Sequence, residues 1–225
     1  MRRGRRLIPR RPGSQPRFAD RVAAGRALAD ALLRRELRDP VVLGLPRGGV
    51  PVAAEVARVL AAPLDAVVVR KLGLPWQPEL AMGAVGEDGV VVRNDAVLAR
   101  VAVDAHDLAR VVAREQAEVA RRARLLRAGR PRRAVDGRTV VVVDDGLATG
   151  ATARAALQVL RASGAGRLVL AVPVAPADTV EALLRDADEV VTVLAPERFG
   201  SVSAYYEDFT ATPESEVLRL LHAAT

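Results

Sequence analysis

A chain of 225 residues, 50% hydrophobic and 27% charged, has the length of one domain with an accessory piece and the composition of a folded, water-soluble globule. With no cysteine and only His106 and His222, disulfide scaffolds, cysteine–zinc sites, iron–sulfur clusters, thiol nucleophiles and multi-histidine metal centres are excluded. No apolar run approaches the ~20 residues of a membrane helix. The net charge of +7 sits at one end: residues 1–17 hold seven arginines and no acid, and the rest carries 27 basic and 27 acidic side chains. A neutral body gives no reason to expect a specific nucleic-acid partner.

Residues 1–17 (MRRGRRLIPRRPGSQPR) are rich in Pro, Gly and Arg and read as a disordered basic tail, leaving 18–225 as a single domain. No apolar stretch follows the arginines, as a secretory or twin-arginine signal would require, so the cytoplasm is the expected location. Residues 18–37 place Phe18, Val22, Leu28, Leu32 and Leu33 at helical spacing. Short Val/Leu runs then mark strands buried on both faces: Val41–Leu45, Ala66–Val69, Val140–Val143, Leu168–Val174 and Val190–Leu194. Helices are expected between several of them, over Val50–Leu60, Thr152–Ala162 (closed by Gly164) and Thr179–Asp186 (with Asp178 and Glu181 as a capping box).

Two segments break the alternation. Residues 84–93 read as a hairpin turning at Asp88-Gly89, and 104–128 as a long Ala/Arg/Glu helix from Asp104 to Gly129. Thr212-Pro213-Glu214 starts a last helix. The fold class expected is α/β, a doubly wound parallel sheet with helices on both faces.

Ligands of such sheets bind beyond the carboxyl ends of the strands, so the loops there carry the chemistry. The run Val140–Val143 ends in Asp144 and Asp145, and Gly146–Thr152 then turns into a helix. Small residues let a ligand approach the backbone, and the amides and hydroxyls of Thr149, Gly150, Ala151 and Thr152 face an anion from a helix N-terminus. Two carboxylates beside that phosphate site repel a phosphate. They suit vicinal hydroxyls, indirect Mg²⁺ binding or a cationic transition state, and together with the phosphate site they describe a ribose 5-phosphate. No Gly-Lys-Ser/Thr loop or Gly-x-Gly-x-x-Gly occurs, which excludes a nucleotide P-loop and a dinucleotide fingerprint. The strand at Val41–Leu45 runs into Pro46-Arg47-Gly48-Gly49, where glycines expose bare amides and Arg47 adds a fixed cation. Lys71, the single lysine among 34 basic side chains, follows Arg70 beyond another strand. In a chain whose other cations are all arginine, that survivor is a candidate for a site needing a compact ammonium.

The segment VVVVDDGLATGAT resembles the 5-phosphoribosyl 1-diphosphate (PRPP) signature of type I phosphoribosyltransferases, an apolar run, two acids, then Thr-Gly-x-Thr. The resemblance implies that Asp144, Asp145 and Lys71 are catalytic. It implies that Ala148, Thr149, Gly150, Ala151 and Thr152 hold the 5-phosphate. Arg47, Gly48 and Gly49 would form the diphosphate loop, joined by Arg70 and Lys71 as in the orotate type. Mg²⁺ is the implied cofactor, held by Asp144 and Asp145 indirectly through water or ribose hydroxyls. Residues 73–85 take the place of the family's flexible loop, which excludes water from a reactive anomeric carbon, but the family's usual basic residue there is missing. A small hood over the acceptor is expected from about 18–38 and 195–225, and the expected assembly is a homodimer.

Four of the six aromatics, Phe199, Tyr205, Tyr206 and Phe209, gather near the C-terminus, and Trp76 sits in the loop. They are either a stacking surface for a flat acceptor, with Tyr205, Tyr206 and Trp76 the candidates, or the hood's own core. Ala148 stands where hypoxanthine–guanine-type enzymes carry an acid, and no lysine is left to read a 6-oxo group, so a 6-oxopurine acceptor is disfavoured. The expected activity is transfer of ribose 5-phosphate from PRPP to a nitrogenous, nucleobase-like acceptor with release of diphosphate. The alternatives are a non-catalytic PRPP sensor and a PRPP hydrolase. His106 and His222 are expected at the surface.

Overall fold

The computed structural model describes residues 17–74, 76–101 and 103–223; the basic tail, apart from Arg17, lies outside them. Its elements are α1 (Arg21–Leu32), β1 (Pro40–Gly44), α2 (Gly49–Leu60), β2 (Leu64–Ala66), β3 (Arg70–Leu74), β4 (Gln77–Val85), β5 (Val91–Arg93), α3 (Asp95–Leu98), α4 (Ala105–Arg127), β6 (Thr139–Val143), α5 (Ala151–Ala162), β7 (Arg167–Val174), α6 (Ala177–Leu183), β8 (Glu189–Leu194) and α7 (Glu214–Ala223). Five strands form an all-parallel sheet in the order β2-β1-β6-β7-β8, and β3-β4-β5 form a separate antiparallel sheet.

The period-2 geometry of a strand divides the valine runs between two apolar layers. Val42, Val141, Val143 and Val169 pack with α1, α2 and α7 on one face, while Val41, Val140, Val142 and Leu168 pack with α5 on the other. Both faces are covered, which is why these strands read as continuous apolar runs; each buried valine contributes about 1.5–3 kcal/mol. Asp20 caps α1 by accepting from the Ala23 amide at 2.7 Å, and Asp104 caps α4 by accepting from His106 N at 2.7 Å. The expected hairpin is present: Asp88 and Gly89 both take positive φ (56° and 77°) between β4 and β5. Gly164 (φ 87°) follows α5 as expected. No helix among the described residues is long and apolar enough to cross a membrane.

Three expectations need correction. The strand placed at Ala66–Val69 occupies Leu64–Ala66 instead. Val67 still donates to Gly44 O at 3.1 Å, but the Val68 amide turns to the Glu87 carboxylate at 3.3 Å, which swings the chain into the second sheet. Arg70 and Lys71 therefore open β3, pairing with Val85 and Ala84, instead of capping a core strand. The stretch 73–85, expected as a β-hairpin flexible loop, is a hairpin of β3 and β4 with Trp76 at its tip, and Pro75 lies outside the described residues. Finally, α6 starts after Pro176, so Asp178 falls inside its first turn, where it accepts from the Thr179 amide and cannot serve as an N-cap.

Candidate active site

The strand order reverses direction between β1 and β6, which makes the crest there the switch-point crevice of the sheet. Gly44 pairs with Val143, so the two following loops leave the sheet side by side, and the Leu45 amide donates to Val143 O at 2.8 Å. The Pro46–Arg47 peptide is cis, Arg47 is exposed, and α2 begins two residues later. Gly48 has an ordinary helical backbone (φ −64°, ψ −32°), yet a Cβ there would overlap the Asp145 carboxylate. Close approach of the Arg47–Gly49 loop to the acid is what requires glycine here.

Both acids are largely withdrawn from solvent, and the surrounding groups set their charge. Burial pushes the Asp144 carboxyl well above its ordinary range, and the neighbouring Asp145 charge adds to this. Burial also raises Asp145, but Arg21 opposes it: Arg21 Nε and Nη2 each lie 2.8 Å from Asp145 Oδ2. Asp144 therefore holds its proton more readily than Asp145. The Asp145 carbonyl accepts from the Tyr206 hydroxyl at 2.5 Å, and burial followed by the Asp145 charge raises the Tyr206 phenol.

Five residues on, Gly150 (φ 67°) precedes α5 in the left-handed region, and a Cβ there would meet Leu183 at 2.8 Å. That turn presents the first amides of α5, which lack intrahelical acceptors, together with the exposed Ala148, Thr149 and Thr152. Ala151 N donates to Thr149 Oγ1 at 3.5 Å, and Thr179 Oγ1 holds the Ala148 carbonyl at 2.9 Å. The turn is an open cradle lined by hydrogen-bond donors, braced from α6.

A cleft of about 800 Å³ continues from this cradle, lined by Pro46, Thr152, Arg70, Lys71, Arg110 and Arg114 among others. The side of α4 forms its far wall. Glu115 on α4 accepts from Arg70 Nε at 2.9 Å and from Arg114 Nε at 3.0 Å. Burial alone would raise the Glu115 carboxyl, but the hydrogen bonds from Arg70 and Arg114 outweigh it and the net shift is downward. Lys71 of β3 lines the same cleft and is half-buried. The structure thus brings Arg47, Gly48 and Gly49, Arg70 and Lys71, both acids and the 148–152 turn around one crest and cleft.

Two of the proposed acceptor-binding residues do not join them. Tyr205 and Tyr206 are 1% and 3% exposed and form the core of a small cluster with Ala24 and Val174. Phe199 stacks on Tyr205 at 5.6 Å, while Phe18 and Phe209 flank Tyr206 at 5.6 and 4.9 Å. No open ring face remains for an acceptor, and the aromatics serve the packing of this segment. Trp76 is 59% exposed at the hairpin tip. Of the segments expected in the hood, α1 and α7 pack into the main core through Leu28, Leu32, Val217 and Leu221. The chain at 18–19 bonds to 205–208 over the strand ends. His106 and His222 are exposed.

Sequence reading did not find Arg21, whose partner lies 124 positions away. It also did not find the buried Arg127, which pairs with Asp65 and Glu87 and ties the end of α4 to both sheets. The only sequence signal for α4 as a cleft wall was the four-residue spacing of Arg110 and Arg114. Among the described residues no group of three or more His, Cys, Asp or Glu is placed to hold a metal ion.

Residues 19–209 match the family described as the phosphoribosyl transferase domain. Two Mycobacterium tuberculosis proteins whose names carry the words phosphoribosyl transferase are 53% identical over 207 residues, which is 92% of this chain and 47% of each relative. The chain thus spans about half the length of the curated relatives it matches. The crystal structure of a Thermus thermophilus protein, TT1426, superimposes with a TM-score of 0.86 at 48% identity, covering 93% of this chain and 99% of that one.

Proposed function

The chain belongs to the phosphoribosyl transferase domain family, and we propose that it transfers ribose 5-phosphate from PRPP to a nitrogenous, nucleobase-like acceptor with release of diphosphate. One observation carries the reading. An anion cradle and two half-buried carboxylates leave the end of β6 on one continuous turn, and the glycine loop of β1 is seated against the second carboxylate. Phosphate, sugar and diphosphate would then each have a holder of their own at the carboxyl end of the sheet.

In this mechanism the Thr149–Thr152 turn anchors the 5-phosphate, and remote binding energy positions the reacting carbon. Asp144 and Asp145 hydrogen-bond the ribose hydroxyls, and negative charge, held chiefly at Asp145 beside Arg21, offsets the positive charge that develops as the diphosphate bond breaks. Arg47, the amide of Gly48, Arg70 and Lys71 receive the departing diphosphate, while the Gly49 amide stays bonded to Leu45 O at 2.9 Å. The hairpin tip with Trp76 lies in the place of the family's closing loop, and its exposed ring is the remaining aromatic candidate for the acceptor.

The donor set fits Mg²⁺ of the kind that keeps its waters and is shared with substrate phosphates: two adjacent carboxylates, Asp144 and Asp145, without a third acid or a histidine among the described residues. Held there through water or the ribose hydroxyls, the ion would neutralise diphosphate charge. The reading extends to a cytoplasmic homodimer; sedimentation of the purified chain tests the assembly.

The test is one assay: Mg²⁺ and PRPP with a panel of bases and small amines, following diphosphate. Asp145→Asn abolishes transfer with an unchanged far-UV spectrum; undiminished turnover overturns the assignment. The filled ring faces of Tyr205 and Tyr206 favour a second reading, a PRPP sensor without an acceptor. Tight PRPP binding with no diphosphate release against any acceptor decides for it.

A further inference from the structure

Resting on the reading of Asp145 as a sugar-binding acid, we infer that Arg21 is a positioning residue that clamps one oxygen of Asp145 so that the other is presented to the ribose hydroxyls. Arg21 Nε and Nη2 converge on Asp145 Oδ2, each at 2.8 Å, and neither bonds Oδ1. The guanidinium is itself held from the opposite side. Nη1 donates to Thr210 O at 2.8 Å, and Cζ lies 4.0 Å from the Phe209 ring centroid. Its side chain is 11% exposed, so the clamp is rigid before any ligand arrives.

The site needs such a clamp because an aspartate side chain turns freely about its last torsion. A fixed cation on one oxygen holds the Asp145 carboxylate in a single orientation toward a diol. The planar fork is also matched to the task. One guanidinium reaches a carboxylate and a carbonyl while stacking on a ring, which a lysine ammonium cannot do. A purely structural role for Arg21 does not account for the arrangement, since α1 has fasteners of its own. Asp20 caps it, and Arg26 joins it to α2 by donating to Glu55 at 3.1 Å. The clamp also joins the 199–210 segment to the sugar acid, because Tyr206, Phe209 and Thr210 all meet at Arg21 or Asp145.

Calorimetric titration with two probes, ribose 5-phosphate and inorganic phosphate, separates the sugar contribution from the phosphate cradle. The wild-type protein binds ribose 5-phosphate more tightly than phosphate. In Arg21→Met that preference falls by about tenfold or more, the scale of a lost charge-assisted hydrogen bond, while phosphate affinity is unchanged. Arg21→Lys restores part of the preference. Phe209→Leu, which loosens the clamp without touching the acid, lowers it less than Arg21→Met, and Arg26→Met leaves it at the wild-type value. If Arg21→Met fails to fold, Arg21→Lys and Phe209→Leu decide, and wild-type preference in both overturns the inference. It is also overturned if Arg21→Met keeps the wild-type preference, or if it loses phosphate and ribose 5-phosphate affinity equally. A wild-type protein with no preference for the sugar overturns the reading of the acids themselves, and this inference with it.

Discussion

Replacing Arg127 by methionine tests whether the tie between the two sheets is a real constraint. Arg127 Nε lies 3.2 and 3.1 Å from the two Asp65 oxygens. Its Nη2 reaches Glu87 Oε1 and Ala66 O at 3.0 Å each, and Nη1 bonds Glu87 Oε2. All three side chains are 6–7% exposed, and among the described residues the two carboxylates without Arg127 keep only backbone amides as partners, from Ala66 and Arg133 to Asp65 and from Val68 to Glu87. Removing one member of a buried ion pair costs about 3–5 kcal/mol. Here one cation serves two carboxylates, which puts the expectation at about 5 kcal/mol. For a chain of this size about 2–4 °C is lost per kcal/mol, so the Tm of Arg127→Met falls by about 10–20 °C. Thermal and urea unfolding measure it. The triple variant Arg127→Met, Asp65→Asn, Glu87→Gln removes the stranded charges together with the cation and recovers at least half of the loss. A single-variant cost below about 1 kcal/mol, or a triple variant as unstable as the single one, refutes the reasoning. Because Glu87 lies in the β4–β5 turn of the sheet that carries Arg70 and Lys71, Arg127→Met also weakens diphosphate binding, as read by calorimetry.

Three further outcomes are expected. Asp144→Asn stabilises the fold while losing ribose 5-phosphate binding: a carboxyl raised by burial costs stability above its ordinary value of 3.8, so the Tm gain is present at pH 7 and vanishes as pH falls to that value. A gain that persists at pH 3 contradicts this. Glu115 has the opposite sign, since its lowered folded pKa contributes stability above the ordinary 4.5 and loses it as pH falls through the folded value; Glu115→Gln therefore flattens the acid limb of the stability curve. Gly48→Ala keeps an allowed backbone but drives a methyl group into the Asp145 carboxylate. Stability drops by about 1–3 kcal/mol from overpacking, and ribose 5-phosphate binding is lost. Normal binding by that variant shows that the two loops do not meet as described.

Legibility followed the range of the interaction that carried each feature. The core strands β1, β6, β7 and β8, the turn into α5 and the Asp88-Gly89 turn were readable because local pattern decides them: continuous apolar runs, small residues at a helix start, positive φ at a hairpin. The end of β2 was misread because Val67–Val69 is as apolar as a core strand. Only the Val68 bond to Glu87 in the other sheet turns it away.

By itself the sequence determined that a parallel sheet forms and that two acids and a small-residue turn leave the same strand, since hydrophobic period and turn chemistry act over a few residues. Only the tertiary structure decided that Tyr205 and Tyr206 face inward, that α4 walls the cleft, and that Arg21 grips Asp145. Each of these depends on surfaces brought together from distant parts of the chain. Burial and ion pairing are properties of the assembled fold, and no local pattern records them.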